Sequence, residues 1–113
     1  MDEKTTIAEL KKKALAFRDE RGWARFHKPR NMAISIVLEA AELLEHFQWL
    51  SEEEIADHLH GCGRGEIADE MSDILVYLLT MAADLDIDLS SSVESKMKKN
   101  AAKYPKEISD GNG

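Results

Sequence analysis

The chain has 113 residues, of which 33% are charged and 43% hydrophobic, and its formal net charge is −7 at pH 7. This excess of acid argues against general binding to nucleic acids or anionic membranes, because both need a positive field. A single cysteine, Cys62, excludes an internal disulfide, and without a secretory signal or a run of about 18 apolar residues we expect a cytoplasmic protein.

The first two predicted elements are helices joined by a short connector. Thr6 and Glu9 fit a capping box, and the apolar residues that follow recur at helical spacing until Gly22. After the connector, Pro29 suits the entrance of a second helix, because its missing N–H would have no partner there. This second helix is predicted over about 30–48.

The second half of the chain also predicts helices. A capping box at 51–54 opens a short polar helix, and the glycine-rich stretch 60–65 is interpreted as a flexible connection. A third main helix is predicted over about 66–85, and Ser91 is predicted to cap a fourth.

These elements predict an all-α fold, a bundle of four main helices in one domain over residues 1–105, with 106–113 as a flexible tail. The second and third main helices are apolar around most of their circumference, which is typical of helices that are buried on several sides. A monomer this short has too little chain to cover both helices. We therefore expect a homo-oligomer.

Each of these two apolar helices carries one narrow acidic stripe. At 100° per residue, Glu39 and Glu42 share a stripe with His46, while Glu70 and Asp73 share a stripe on the third main helix. If the helices pack with these stripes facing, four carboxylates converge and repel one another unless a cation neutralises them. Mg²⁺ prefers carboxylate oxygens, so the pattern predicts a possible Mg²⁺ site in a helical hairpin.

Two other functions fit parts of this pattern. The stripes could face a partner in a non-enzymatic helical interaction module, since acidic stripes are usually solvated surfaces. A di-iron carboxylate bundle would need Glu-x-x-His pairs on two helices, and 42–45 and 70–73 lack the histidine.

Longer stretches of sequence carry a family resemblance. The acidic pairs "EAAE" and "EMSD" resemble the ExxE…ExxD signature of the MazG-like all-α nucleoside triphosphate pyrophosphohydrolases. More specific stretches are similar to the dCTP pyrophosphatase branch of that family. These stretches are "FHKPRN" (26–31), "FQW" (47–49), "DILVYLL" (73–79) and "SKMKKNAAKYP" (95–105).

The resemblance implies hydrolysis of a nucleoside triphosphate, with dCTP or a related deoxynucleotide first, to a monophosphate and pyrophosphate. It also implies Mg²⁺, with Mn²⁺ as a substitute, and a tetramer built from dimers, with a dimer as the alternative. The implied metal ligands are Glu39, Glu42, Glu70 and Asp73, of which Glu39 and Glu42 are the candidates for general base. The implied substrate-binding residues are Trp23, His27, Trp49, Tyr77, Lys96, Asn100, Lys103 and Tyr104.

Overall fold

A computed structural model describes residues 1–106, which form five α-helices and contain no β-strand. The all-α prediction is confirmed. The helices number five because the short polar segment after Ser51 forms a helix in addition to the four main ones. The predicted tail lies outside the described residues except for its first residue, Lys106. The helices are α1 (Ile7–Glu20), α2 (Pro29–Glu45), α3 (Glu52–His60), α4 (Gly63–Asp84) and α5 (Leu89–Lys103), with a 3₁₀ turn at Ala24–Phe26.

Side chains at the start of α1 and α3 satisfy backbone amides that have no partner within the helix. Thr6 Oγ1 accepts a hydrogen bond from the Glu9 N–H at 3.1 Å. At α3 the capping box is complete, because the Glu54 N–H donates to Ser51 Oγ and the Ser51 N–H donates to Glu54 Oε1. These caps set where the two helices begin.

The predicted cap of the last helix is wrong. Asp88, and not Ser91, is the capping residue of α5, and its Oδ1 accepts the Ser91 N–H at 2.9 Å. A carboxylate is a stronger acceptor than a hydroxyl and also complements the positive end of a helix, so the helix begins earlier than predicted.

The glycine-rich stretch 60–65 was predicted to be a flexible connection, and this prediction is wrong. Only Gly61 and Cys62 separate α3 from α4, and residues 63–65 already belong to α4. Gly63 is buried against the His58 ring, and a Cβ at this position would overlap the ring. The glycine therefore allows two helices to approach closely.

The long helix α4 lies at the centre of the fold and packs against α1, α2 and α3. Arg18 ties α1 to the end of α4, because its Nη1 donates to both carboxylate oxygens of Asp84 at 2.9 and 2.8 Å. The apolar core is small, and its buried side chains are Ala14, Met32, Ile67, Leu79 and Ala82.

Much apolar surface stays in solvent because α5 does not fold back over the other helices. Except for Leu89 and Asn100, every residue of α5 is exposed, and α2 exposes 66% of Val37. The radius of gyration is 17.9 Å, whereas a compact domain of about 100 residues has about 13 Å. No helix within residues 1–106 is both long enough and apolar enough to cross a membrane.

Candidate active site

The polar stripes predicted on the second and third main helices face one another along the contact between α2 and α4. Glu39 of α2 lies beside Glu70 and Asp73 of α4, and His46 lies beside Glu66. Residue numbers rise along one helix as they fall along the other, so the two helices run antiparallel. Their side chains form a continuous polar strip between two apolar surfaces.

Three carboxylates converge at one end of this strip. One oxygen each of Glu39, Glu70 and Asp73 lies within 4.8 Å of the others. Glu39 Oε2 and Glu70 Oε2 are buried and accept no hydrogen bond from the described residues. Glu42, one turn along α2, is exposed and lies outside this three-residue group. We call Glu39, Glu70 and Asp73 the carboxylate cluster.

The cluster changes the acidity of two of its members. Removal from water raises the pKa of Glu39 to about 7, and the neighbouring Glu70 and Glu42 add to the rise. Removal from water also raises the pKa of Glu70; Glu39 acts in the opposite direction there, while Glu42 and Asp73 add to the rise. Burial and like charge both disfavour the ionised acids, so the metal-free cluster retains a proton near neutral pH.

These residues fit a hard divalent cation. Such a cation takes carboxylate oxygens as ligands, and it would satisfy the two buried oxygens that no donor within residues 1–106 reaches. The donor set contains no nitrogen or sulfur, which softer transition metals prefer. The described structure therefore contains acidic groups that could bind a divalent metal.

A small pocket of about 160 Å³ adjoins the cluster. Asp73 belongs to both, so the pocket and the carboxylates share a wall. Typical ligand pockets measure about 300–1,000 Å³, so this one has room for part of a nucleotide only. Its other lining residues are Ala14, Phe17, Arg18, Trp23, His27, Val76, Tyr77 and Thr80.

Three of the predicted substrate-binding residues meet in this pocket. The rings of His27 and Tyr77 stand edge to face with centroids 6.4 Å apart. His27 Nδ1 is buried and has no hydrogen-bond partner among the described residues. Trp23 lies edge-on to Phe17, with centroids 5.7 Å apart. The pocket thus presents flat rings to a ligand.

The remaining predicted substrate-binding residues lie elsewhere. Trp49 follows the end of α2 and is 83% exposed. The other four belong to α5 and the residue after it, and none of them lines the pocket beside the carboxylates. They are Lys96, Asn100, Lys103 and Tyr104. A single copy of the described chain therefore assembles the acids and three of the pocket residues but not these five.

Arg18 is a pocket residue that the sequence reasoning missed. Its side chain is 12% exposed, and the ion pair with Asp84 raises its pKa, so it stays charged. Nothing local distinguishes this arginine in a helix that also carries lysines and is followed directly by Arg21. Its position one turn after the buried Ala14 was the available signal, since that spacing places both residues on one helix face.

Comparisons with known proteins agree with this fold. Residues 34–112 match the sequence model of the MazG-like family. A solved pyrophosphatase from Archaeoglobus fulgidus DSM 4304 superposes with a TM-score of 0.81 at 44% sequence identity, covering 88% of this chain and 92% of that chain.

Two curated proteins named dCTP pyrophosphatase 1 are also similar. The one from Rattus norvegicus is 37% identical over 107 residues, which are 94% of this chain and 63% of that protein. The one from Homo sapiens is 37% identical over 101 residues, covering 88% of this chain and 59% of that protein. The chain thus spans less than two-thirds of the length of these relatives.

Proposed function

The chain belongs to the MazG-like family, and from that membership we propose that it is a nucleoside triphosphate pyrophosphohydrolase. In this proposal it converts a nucleoside triphosphate and water to a monophosphate and pyrophosphate. The substrate is dCTP or a related or modified deoxynucleotide, which agrees with the names of the 37% identical relatives. The enzyme would then remove unwanted nucleotides from the cytoplasmic pool.

The observation that carries this proposal is the shared position of Asp73. Its carboxylate belongs to the cluster with Glu39 and Glu70, and its side chain also lines the pocket that holds His27 and Tyr77. A triphosphate needs a cation beside its phosphates and a flat surface for its base. The carboxylate cluster and the ring-lined pocket adjoin at Asp73, and this arrangement supports the proposal.

The proposed ion is Mg²⁺, with Mn²⁺ as a substitute, held by Glu39, Glu42, Glu70 and Asp73. Glu42 lies one turn along α2 and acts electrostatically on both Glu39 and Glu70, so it is close enough to join the ligand set after a modest side-chain movement. When bound, Mg²⁺ supplies charge neutralisation for the phosphates and acidifies a water.

The protein's own residues would hold the substrate and accept a proton. Glu39 and Glu42 are the candidates for general base, since both carboxylates lie beside the proposed ion. The His27 ring, whose Nδ1 has no hydrogen-bond partner among the described residues, would bond to a polar edge of the base. Trp23 and Tyr77 would hold the flat face of the base.

The proposed active form is a homo-oligomer, a tetramer built from dimers, with a dimer as the alternative. In one copy, 61% of Met97 on α5 and 66% of Val37 on α2 are exposed, and apolar patches of this kind mark protein interfaces. Pairing would also allow α5 of one copy to approach the site of another. Lys96 and Lys103 would then meet the phosphates, and Asn100, Tyr104 and Trp49 would close the pocket.

Product analysis tests the activity directly. The chain is incubated with each deoxynucleoside triphosphate and Mg²⁺, and the products are separated by anion-exchange chromatography. Monophosphate with pyrophosphate is expected, with dCTP consumed fastest. Diphosphate with phosphate would contradict the proposed bond cleavage, and Asp73→Asn provides the background rate.

A further inference from the structure

A second group of metal-ligating side chains lies at the other end of the polar strip. His46 ends α2, His58 belongs to α3 and Glu66 lies in the first turn of α4. His46 Nδ1 is 2.9 Å from His58 Nε2 and 4.0 Å from Glu66 Oε2. One ligand atom from each of the three residues lies within 4.8 Å of the other two. None of these residues has a role in the proposed hydrolysis.

We propose that His46, His58 and Glu66 form a binding site for a divalent transition metal such as Zn²⁺, separate from the carboxylate cluster. Two imidazole nitrogens and one carboxylate oxygen are a known zinc ligand set, and a water takes the fourth position. Mg²⁺ prefers oxygen ligands, so this donor set favours a softer ion. The bound ion joins α3 to the ends of α2 and α4.

Two of the three distances between ligand atoms need little change for metal binding. A tetrahedral ion with bonds of about 2.1 Å places its ligand atoms about 3.4 Å apart. The two ring nitrogens must separate from 2.9 Å, and Glu66 must approach from 4.0 Å; each change is about half an ångström by the same bond lengths. Glu66 is 57% exposed, so its side chain is free to make that movement.

The surrounding structure holds the two rings in place. The His46 side chain is only 14% exposed, and its ring stacks on His58 with an interplanar angle of 23°. Gly63 packs directly on the His58 ring, where any larger residue would overlap it. The Ser51 capping box sets the start of α3 and hence the position of His58 on that helix. Three helices therefore present the ligand atoms before any ion binds.

Zinc titration of the full, untagged chain tests this site. The protein is stripped of metal with a chelator and returned to buffer with excess Mg²⁺, which occupies the carboxylate cluster. Zn²⁺ binding is then measured by calorimetry, and Co²⁺ binding by the visible absorption of four-coordinate cobalt. The variants are His58→Gln and Glu66→Gln, and the matched control is His60→Gln, an exposed histidine on the same helix.

We expect one Zn²⁺ per chain in the parent and in His60→Gln, with binding at least about tenfold weaker in His58→Gln and Glu66→Gln. The thermal unfolding midpoint of the parent should rise by about 5 °C or more with saturating Zn²⁺. Equal Zn²⁺ affinity in His58→Gln and His60→Gln would overturn the proposal, as would no binding at micromolar Zn²⁺. Glu66→Gln replaces an exposed side chain, so it reports on the site even if His58→Gln misfolds.

Zn²⁺ held by the carboxylate cluster is the competing explanation, and a background variant separates the two sites. Asp73→Asn should retain the tightly bound Zn²⁺ while it loses hydrolytic activity. Loss of Zn²⁺ in Asp73→Asn together with retention in His58→Gln would assign the ion to the carboxylates and overturn the proposal.

Discussion

Glu39 and Glu70, on facing helices, each hold one buried carboxylate oxygen that accepts no hydrogen bond from the described residues. The pKa of Glu39 rises from its ordinary value of 4.5 to about 7 in the folded chain. At pH values between these two, Glu39 therefore binds more protons in the folded chain than in the unfolded chain. The free energy of unfolding of the metal-free protein should therefore fall as pH rises through this window.

Thermal unfolding in chelator from pH 4.5 to pH 8 measures this effect. The proposed Mg²⁺ ion would bind the ionised cluster of the folded chain only, so added Mg²⁺ should restore stability at the upper end of the range. Glu39→Gln removes one of the two carboxyls whose pKa is raised, so it should make the dependence shallower. Metal-free stability that increases steadily across the same range would contradict the raised pKa.

Neutral substitutions in the cluster should separate stability from activity. Glu39→Gln and Asp73→Asn each remove a proposed metal ligand, and turnover should fall by at least about a hundredfold. Each also removes a charge from a crowded group, so the metal-free protein should unfold at a higher temperature. Glu45→Gln, at an exposed position on the same helix, is the control and should leave both properties unchanged.

Removal of the Trp23 ring should weaken substrate binding more than it slows the chemical step. If Trp23 stacks on the base, Trp23→Ala should lose about 1–3 kcal/mol of binding free energy, which corresponds to a KM increase of roughly five- to 150-fold. The control is Phe26→Ala, an exposed aromatic in the same connector that does not line the pocket. Equal KM values for the two variants would show that Trp23 does not stack on the base.

A new charge on the apolar stripe of α5 should dissociate the proposed oligomer. Val93 and Met97 lie one turn apart and are 58% and 61% exposed. Met97→Glu should therefore lower the mass measured by light scattering at micromolar concentration, and turnover should fall with it if α5 completes a neighbouring site. Ser92→Glu adds the same charge beside the stripe and should leave the mass unchanged. A monomeric parent chain at that concentration would contradict the oligomer.

The pattern of the sequence predicted the helices and one acidic stripe on each of two apolar helices, because helical periodicity places Glu39 on one stripe and Glu70 with Asp73 on the other. The sequence leaves open whether the stripes face one another, because helical periodicity does not fix how two helices are rotated against each other. The pairing of His46 with His58 could not be predicted, since it depends on how α3 packs, and α3 has no long apolar stripe to set its position.

The glycines within residues 60–65 show why the prediction of a flexible connection was wrong. Glycine is common both in flexible loops and where two helices touch, and only the packing partner distinguishes the two uses. Gly63 is buried by the His58 ring, whereas no atom lies within 4 Å of a Cβ built at Gly65. Of these two glycines in the first turn of α4, only Gly63 therefore has a packing partner that excludes a side chain.

This difference predicts opposite effects for two conservative substitutions. Gly65→Ala adds a methyl group in open space and should stabilise α4 by up to about 1 kcal/mol, because alanine is the better helix former. Gly63→Ala forces the His58 ring away from Gly63 and should cost about 1–3 kcal/mol. Urea unfolding of both variants in chelator measures the difference. Displacement of the ring should also weaken Zn²⁺ binding in Gly63→Ala but not in Gly65→Ala, and equal behaviour of the two variants would show that the close approach of α3 and α4 is not required.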